Sequence, residues 1–160
     1  MNKQEIMECA DAPDWIKKAD WEGDVTIDDG YVYFNHGIWK NGVWENGVWK
    51  DGVWKKGFWK NGVWENGVWK DGVWKDGIWK DGVWEKGVWE KGVWKDGVWK
   101  DGLWRDGIWK NGIWKNGIWK DGVWKDGIWE CGYWDHGVWK NGTWKSGLWM
   151  GGTWIDGIKK

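Results

Sequence analysis

Several common ingredients are scarce in this chain. Proline occurs once, at Pro13. Cysteine occurs twice, at Cys9 and Cys131, too few for a disulfide framework. Histidine also occurs twice, and no nucleophile stands at a meaningful spacing from a base, so the expectation is a protein that is not an enzyme and needs no cofactor. No uncharged apolar run approaches a membrane span, and MNKQEIMECA lacks the apolar stretch of a signal peptide. These absences suggest a cytoplasmic chain without a membrane partner. Neither charge sign dominates: 24 basic residues face 25 acidic ones. That balance leaves out the net basic footprint of a nucleic-acid binder, so nucleic acid is not the expected partner.

Tryptophan and glycine, by contrast, are abundant. Of 26 tryptophans, only Trp15 and Trp21 stand outside a series running from Trp39 to Trp154 in steps of five. Glycine keeps the same step from Gly37 to Gly157. Each pentad reads Gly–aliphatic–Trp–charged–(Asp/Asn). The aliphatic is mostly Val or Ile, with Phe58, Leu103, Tyr133, Thr143, Leu148 and Thr153 as exceptions. Val-Trp-Lys favours a strand and Asp-Gly favours a corner. Helix is disfavoured, because a glycine every five residues would cost about 1 kcal/mol each relative to alanine. Disorder is a poor reading of a chain so rich in aromatic and β-branched residues.

Residues 1–36 differ. MNKQEIMEC and PDWIKKAD suit short helices, and VTIDDGYVYF suits a hairpin turning at Asp29-Gly30. This segment is expected to be a cap over one end of a repeat domain spanning 37–158.

Two architectures fit the pentads. A meander of reversing three-residue strands would form a ribbon with no second layer to bury its tryptophan face. A solenoid closes on itself and makes its own core. The expectation is therefore an all-β, four-sided β-helix of about six coils, with four pentads to a coil. GIWKNGVWENGVWKDGVWKK (37–56) is followed by the nearly identical GFWKNGVWENGVWKDGVWKD (57–76), and lysines recur from Lys40 to Lys140 in steps of twenty. Tandem duplication of a 20-residue unit would leave the same trace without fourfold geometry.

The pattern resembles pentapeptide-repeat proteins, whose motif is small–polar–large apolar–x–x and whose fold is a right-handed quadrilateral β-helix. Gly42 and Trp44 would take the small and large inward places, and so on along about three quarters of the chain. Here the large residue is Trp rather than Leu or Phe, the small one Gly rather than Ala, and the second position apolar rather than polar. Some members imitate DNA and bind topoisomerases, which needs an acidic face that the Lys40–Lys140 series argues against. Members also often dimerise through their C-terminal ends.

Strand alternation puts Trp on one face and Val and Lys on the other. With Trp inside, Trp39, Trp44, Trp49, Trp54, Trp59 and Trp64 begin a core ladder, and each indole N–H needs an acceptor, expected to be a backbone carbonyl at a corner. With Trp outside, the rings would form an aromatic platform for nucleotides, single-stranded nucleic acid or glycans. In favour of sugar recognition, YVYFNHGIWKNG resembles the aromatic-glycine hairpins of choline-binding repeats.

Glu130-Cys131-Gly132-Tyr133-Trp134-Asp135-His136 is the richest polar cluster, but Cys131 and His136 sit at corners of successive sides, so no metal site is expected. His136 would stack over Asp156 in a 20-residue coil. At the C-terminal end, Leu148, Met150, Ile155 and Ile158 make an apolar patch. It is either a contact surface, suited to a homodimer through that end, or a self-capped terminus. The functional expectation is a rigid protein-interaction scaffold or structural spacer of phage or bacterial type. The protein partner is unidentified, and an aromatic-platform binder is the alternative.

Overall fold

Val43 pairs with Phe58, Phe58 with Val73 and Val73 with Val88, always in parallel and always fifteen residues on. The same offset joins Val48 to Val63 and Val53 to Val68. This computed structural model covers residues 1–160. Three pentads therefore make one coil, and about eight coils stack into a parallel β-solenoid with three faces. The first face begins at Val43–Trp44, the second at Val48–Trp49 and the third at Val53–Trp54. The solenoid stands as expected, but four sides and six coils do not.

Ring size gives the physical reason. Tryptophans five apart meet edge to face, as Trp94 and Trp99 do at 6.1 Å and 75°. Tryptophans fifteen apart stack face to face, as Trp94 and Trp109 do at 4.8 Å and 6°. Each indole also reaches the next corner, so three rings fill the cross-section. The rings from Trp39 to Trp139 are completely buried and Trp144 nearly so. Aromatic pairs in these two geometries contribute about 0.5–1.5 kcal/mol beyond their buried area.

The corner depends on glycine for two reasons. At Gly97 φ is +117°, and a Cβ there would lie 2.4 Å from the carbonyl oxygen of Gly82 in the coil below. Between coils, second- and fourth-position N–H groups donate backward: Val98 to the Gly82 carbonyl at 2.9 Å and Lys100 to that of Trp84 at 2.8 Å. The fifth position closes the corner locally, as where Asp96 Oδ1 accepts the Gly97 N–H at 2.8 Å.

The N-terminal end is covered. Helix α1 (Lys3–Glu8) starts with a reciprocal cap between Asn2 and Glu5 and buries Ile6. Helix α2 (Asp14–Lys18) buries Ile16. The Lys3 ammonium donates to the carbonyls of Ile16, Lys17 and Ala19, closing the end of α2. Partial burial holds its pKa below the usual lysine value, against the pull of Asp20. Strands β1 (Asp20–Asp28) and β2 (Tyr31–Asn41) form an antiparallel hairpin. Strand β2 crosses from the segment 1–36 into the repeats. Its Tyr33–Phe34 pairs with Val48–Trp49 and its Ile38–Trp39 with Val53–Trp54, so it extends the second and third faces by one strand each. The first face gains no such strand and ends at Val43–Trp44.

Candidate functional surfaces

The exterior consists of columns with a fifteen-residue step. The second-position column on each face is aliphatic and half-exposed, a stripe up the rod. Beside it runs the fourth-position column, where opposite charges meet between coils. Lys60 pairs with Glu45 at 2.9 Å, Lys80 with Glu65 at 3.0 Å and Lys145 with Glu130 at 3.3 Å. Glu85 lies between Lys70 at 4.0 Å and Lys100 at 3.4 Å. These are exposed pairs, worth about 0–1 kcal/mol each, and they fix register more than stability.

The Lys40–Lys140 series does not form a column. A step of twenty moves from face to face in a fifteen-residue coil, so Lys40, Lys60 and Lys80 lie on the third, first and second faces. The lysine column the structure does build is Lys80, Lys95, Lys110, Lys125 and Lys140 on the second face.

Trp39, Trp44, Trp49, Trp54, Trp59 and Trp64 all lie inside with no exposure. Rings placed there offer no face to a nucleotide, a nucleic acid strand or a sugar. The corner-carbonyl bond expected for every indole N–H forms only near the C-terminal end, from Trp129 to Ser146 O and from Trp134 to Gly151 O, each at 3.1 Å. The indole N–H groups from Trp39 through Trp124, and that of Trp139, are buried without a partner. The bonded rings of Trp129 and Trp134 stack at the same 4.8 Å and 6° as the unbonded Trp124, so stacking geometry does not decide which N–H finds a carbonyl.

The Glu130–His136 cluster is spread over two corners. Cys131 lies at the third-face corner and His136 at the first-face corner. One coil beyond His136 stands Gly151, not Asp156: its Cβ position would be 3.1 Å from His136 Nε2. His136 Nδ1 lies 3.0 Å from Asp135 Oδ1, and Lys120 lies 3.2 Å from Asp135 Oδ2. The hydrogen bond to His136, then that from Lys120, holds the Asp135 carboxyl below its ordinary pKa. No three or more His, Cys, Asp or Glu side chains gather as a metal-binding group.

The C-terminal end is open. Leu148, Met150, Ile155 and Ile158 are 54–61 % exposed, so Ile155 and Ile158 do not fold back over the last coil. Lys159 takes the next place in the tryptophan series, and its ammonium lies 4.4 Å from the centre of the Trp154 ring and 5.7 Å from that of Trp149. The sequence carried this signal, since residue 159 is in phase with the indoles.

The N-terminal end holds a feature that sequence reasoning missed. A cleft of about 430 Å³ opens between α2 and the end of the first face, lined by Asp14, Trp15, Lys18, Ala19, Gly42, Val43 and Glu45. Trp15 caps the first ladder from above, 4.9 Å from Trp44 but turned 66° to it. No helix is long and apolar enough to cross a membrane. No family model, no curated protein and no solved structure matches the chain.

Proposed function

We propose that this chain is a rigid, non-enzymatic rod that acts as a protein-interaction scaffold or structural spacer. The observation that carries the reading is the division of labour between inside and outside. The aromatic series is used in a dry core, while the exterior repeats an aliphatic stripe flanked by charges at a fixed step. Such a surface gives a partner regularly spaced contacts about 4.8 Å apart over about eight coils. The pentad step and the large inward residue support a kinship in plan with pentapeptide-repeat proteins, with three sides in place of their four.

The apolar end supports a second element of the proposal, a homodimer through Leu148, Met150, Ile155 and Ile158. Leu148 and Met150 stand on the first face, Ile155 on the second and Ile158 on the third, so together they ring the last coil; an exposed apolar ring of this kind marks a contact, and a second copy can share it about a twofold axis. Sedimentation of the purified chain tests it. A mass twice the monomer that falls to the monomer value in Leu148→Lys/Ile158→Lys supports the end contact, and a monomer at every concentration refutes it. For the scaffold, cross-linked partners from host lysate should depend on the stripes. Partners retained equally by Val93→Lys/Ile108→Lys/Val123→Lys would remove the second face from the proposal.

A further inference from the structure

We infer that the second face docks an acidic amphipathic helix, laid along the rod with one row on the aliphatic stripe and the next row on the lysine column. The inference rests on the scaffold reading and names the partner's chemistry. In five successive coils the fourth position of this face is Lys80, Lys95, Lys110, Lys125 and Lys140, all exposed. Lys80 pairs with Glu65, and the other four enter no ion pair. The first-face column is broken by Glu90 and Asp135, and the third-face column by Glu85 and Glu130. Asp81, Asp96 and Asp126 border the lysines at the corner, where each carboxylate accepts the following glycine N–H and pairs with no lysine. Lysines held side by side about 4.8 Å apart repel one another. An acidic row laid over them relieves that repulsion.

The breadth and pitch of the face select the occupant. Ile78, Val93, Ile108, Val123 and Val138 run beside the lysines, two residues back on the same outward side. The two columns lie about 7 Å apart, at ~3.3 Å per residue. A helix is about 10 Å across and carries an apolar row and a charged row side by side. One turn climbs about 5.4 Å against ~4.8 Å per coil. From Lys80 to Lys140 the mismatch reaches about 2.4 Å, which the long lysine stems absorb. An extended strand would turn every second side chain away from the face. The backbone N–H groups it would bond are already engaged between coils, as from Lys95 to Trp79 O at 2.8 Å and from Lys110 to Trp94 O at 2.9 Å. A nucleic-acid strand would use the lysines and leave the aliphatic stripe in water. A second copy offers no match, because no outward column of this chain carries acids in three successive coils.

Binding of stapled helical peptides to the full chain, read by fluorescence anisotropy, tests the inference. The probe has about sixteen residues, a length of ~24 Å. Leucine recurs at i, i+4 and i+7, and glutamate directly follows each leucine. This probe should bind saturably, and versions with glutamine or lysine in place of glutamate should bind about tenfold more weakly or less. Lys95→Glu/Lys110→Glu/Lys125→Glu should weaken the glutamate probe about ten- to a hundredfold, the range of three exposed ion pairs, and transfer the preference to the lysine probe. Val93→Thr/Ile108→Thr/Val123→Thr keeps the charges and should weaken it about three- to tenfold with an unchanged salt dependence. Lys55→Glu/Lys115→Glu on the third face should change binding by no more than about twofold. Equal binding of the three probes, an untransferred preference, or indifference to the threonine variant would overturn the proposal. So would a poly-dT strand that binds more tightly than the probe, which would assign the column to nucleic acid. A sedimentation mass that falls in the second-face glutamate variant would assign it to a second copy. Failure of the probe to bind leaves the scaffold reading standing, because that reading is tested on lysate partners and is open to every face.

Discussion

Four neighbouring tryptophans allow the cost of the unpartnered indole N–H groups to be measured. Trp124, Trp129, Trp134 and Trp139 are all fully buried, and each stacks on the ring fifteen residues before it at 4.8 Å. Their N–H groups differ. Those of Trp129 and Trp134 are bonded to corner carbonyls, and those of Trp124 and Trp139 are not. Replacing each by Phe keeps a stacking ring and removes the N–H. The lost apolar area costs about 1 kcal/mol, at ~25 cal/mol per Å². At Trp129 and Trp134 a hydrogen bond worth about 1 kcal/mol also goes, for a total near 2 kcal/mol. At Trp124 and Trp139 the removed group was a desolvated, unsatisfied donor, whose burial costs about 1–3 kcal/mol. Those two variants should then be neutral to about 2 kcal/mol more stable. The order along the chain is unpaired, paired, paired, unpaired, so a gradual weakening toward the open end cannot reproduce it. Guanidinium unfolding followed by circular dichroism gives the four stabilities. Equal losses at all four would refute the reasoning and mean that the inner N–H groups are satisfied in solution.

Three further outcomes follow from the geometry. Gly97→Ala combines a φ of +117° with a Cβ 2.4 Å from a backbone oxygen and should lose about 2–4 kcal/mol, whereas Gly151→Ala meets only the His136 ring and should stay within about 1 kcal/mol in the same unfolding assay. Because its folded pKa is depressed, ionised Asp135 contributes stability that is present above the ordinary aspartate range and lost as pH falls through the lowered value. Carboxyl NMR should show its titration moving upward in His136→Ala, and an unmoved titration would refute the hydrogen bond as the leading cause. Tryptophan emission should be blue-shifted and poorly quenched by acrylamide, with the accessible fraction confined to the few partly exposed rings, such as Trp15, Trp149 and Trp154. Free quenching of most of the emission would place the series in water.

The solenoid was legible because the pentad carries it twice, in a strand of Val-Trp-Lys and in a corner of Asx-Gly. The number of sides was not, for a physical reason. Every pentad places the same Gly and Trp inside, so the sequence period is five whether a coil closes after three strands or four, and the limit that indole size sets on the cross-section is not written in any spacing. Only the exterior distinguishes them, where opposite charges recur fifteen apart: Glu45 with Lys60, Glu65 with Lys80, Glu130 with Lys145. The near-identity of 37–56 and 57–76 drew attention to a step of twenty, which matches no column in the fold and fits duplication of the chain. The cleft was hidden for another reason. It depends on β2 extending the second and third faces but not the first, and hairpin residues such as Tyr33 and Phe34 do not announce which coil edge they will join.

The same equivalence of pentads separates what the core requires from what the surface requires. Deleting one pentad from the middle of the rod would return Gly and Trp to valid inward places and rotate everything beyond it by one face. The rings would stack as before. The charge columns would not, since Glu85 and Lys100 would no longer stand fifteen apart. Burial and the aliphatic stripes therefore leave the length of the rod free in steps of five, while the ion pairs between coils bind it to steps of fifteen. A partner that reads one face would notice the deletion, and the fold itself would not.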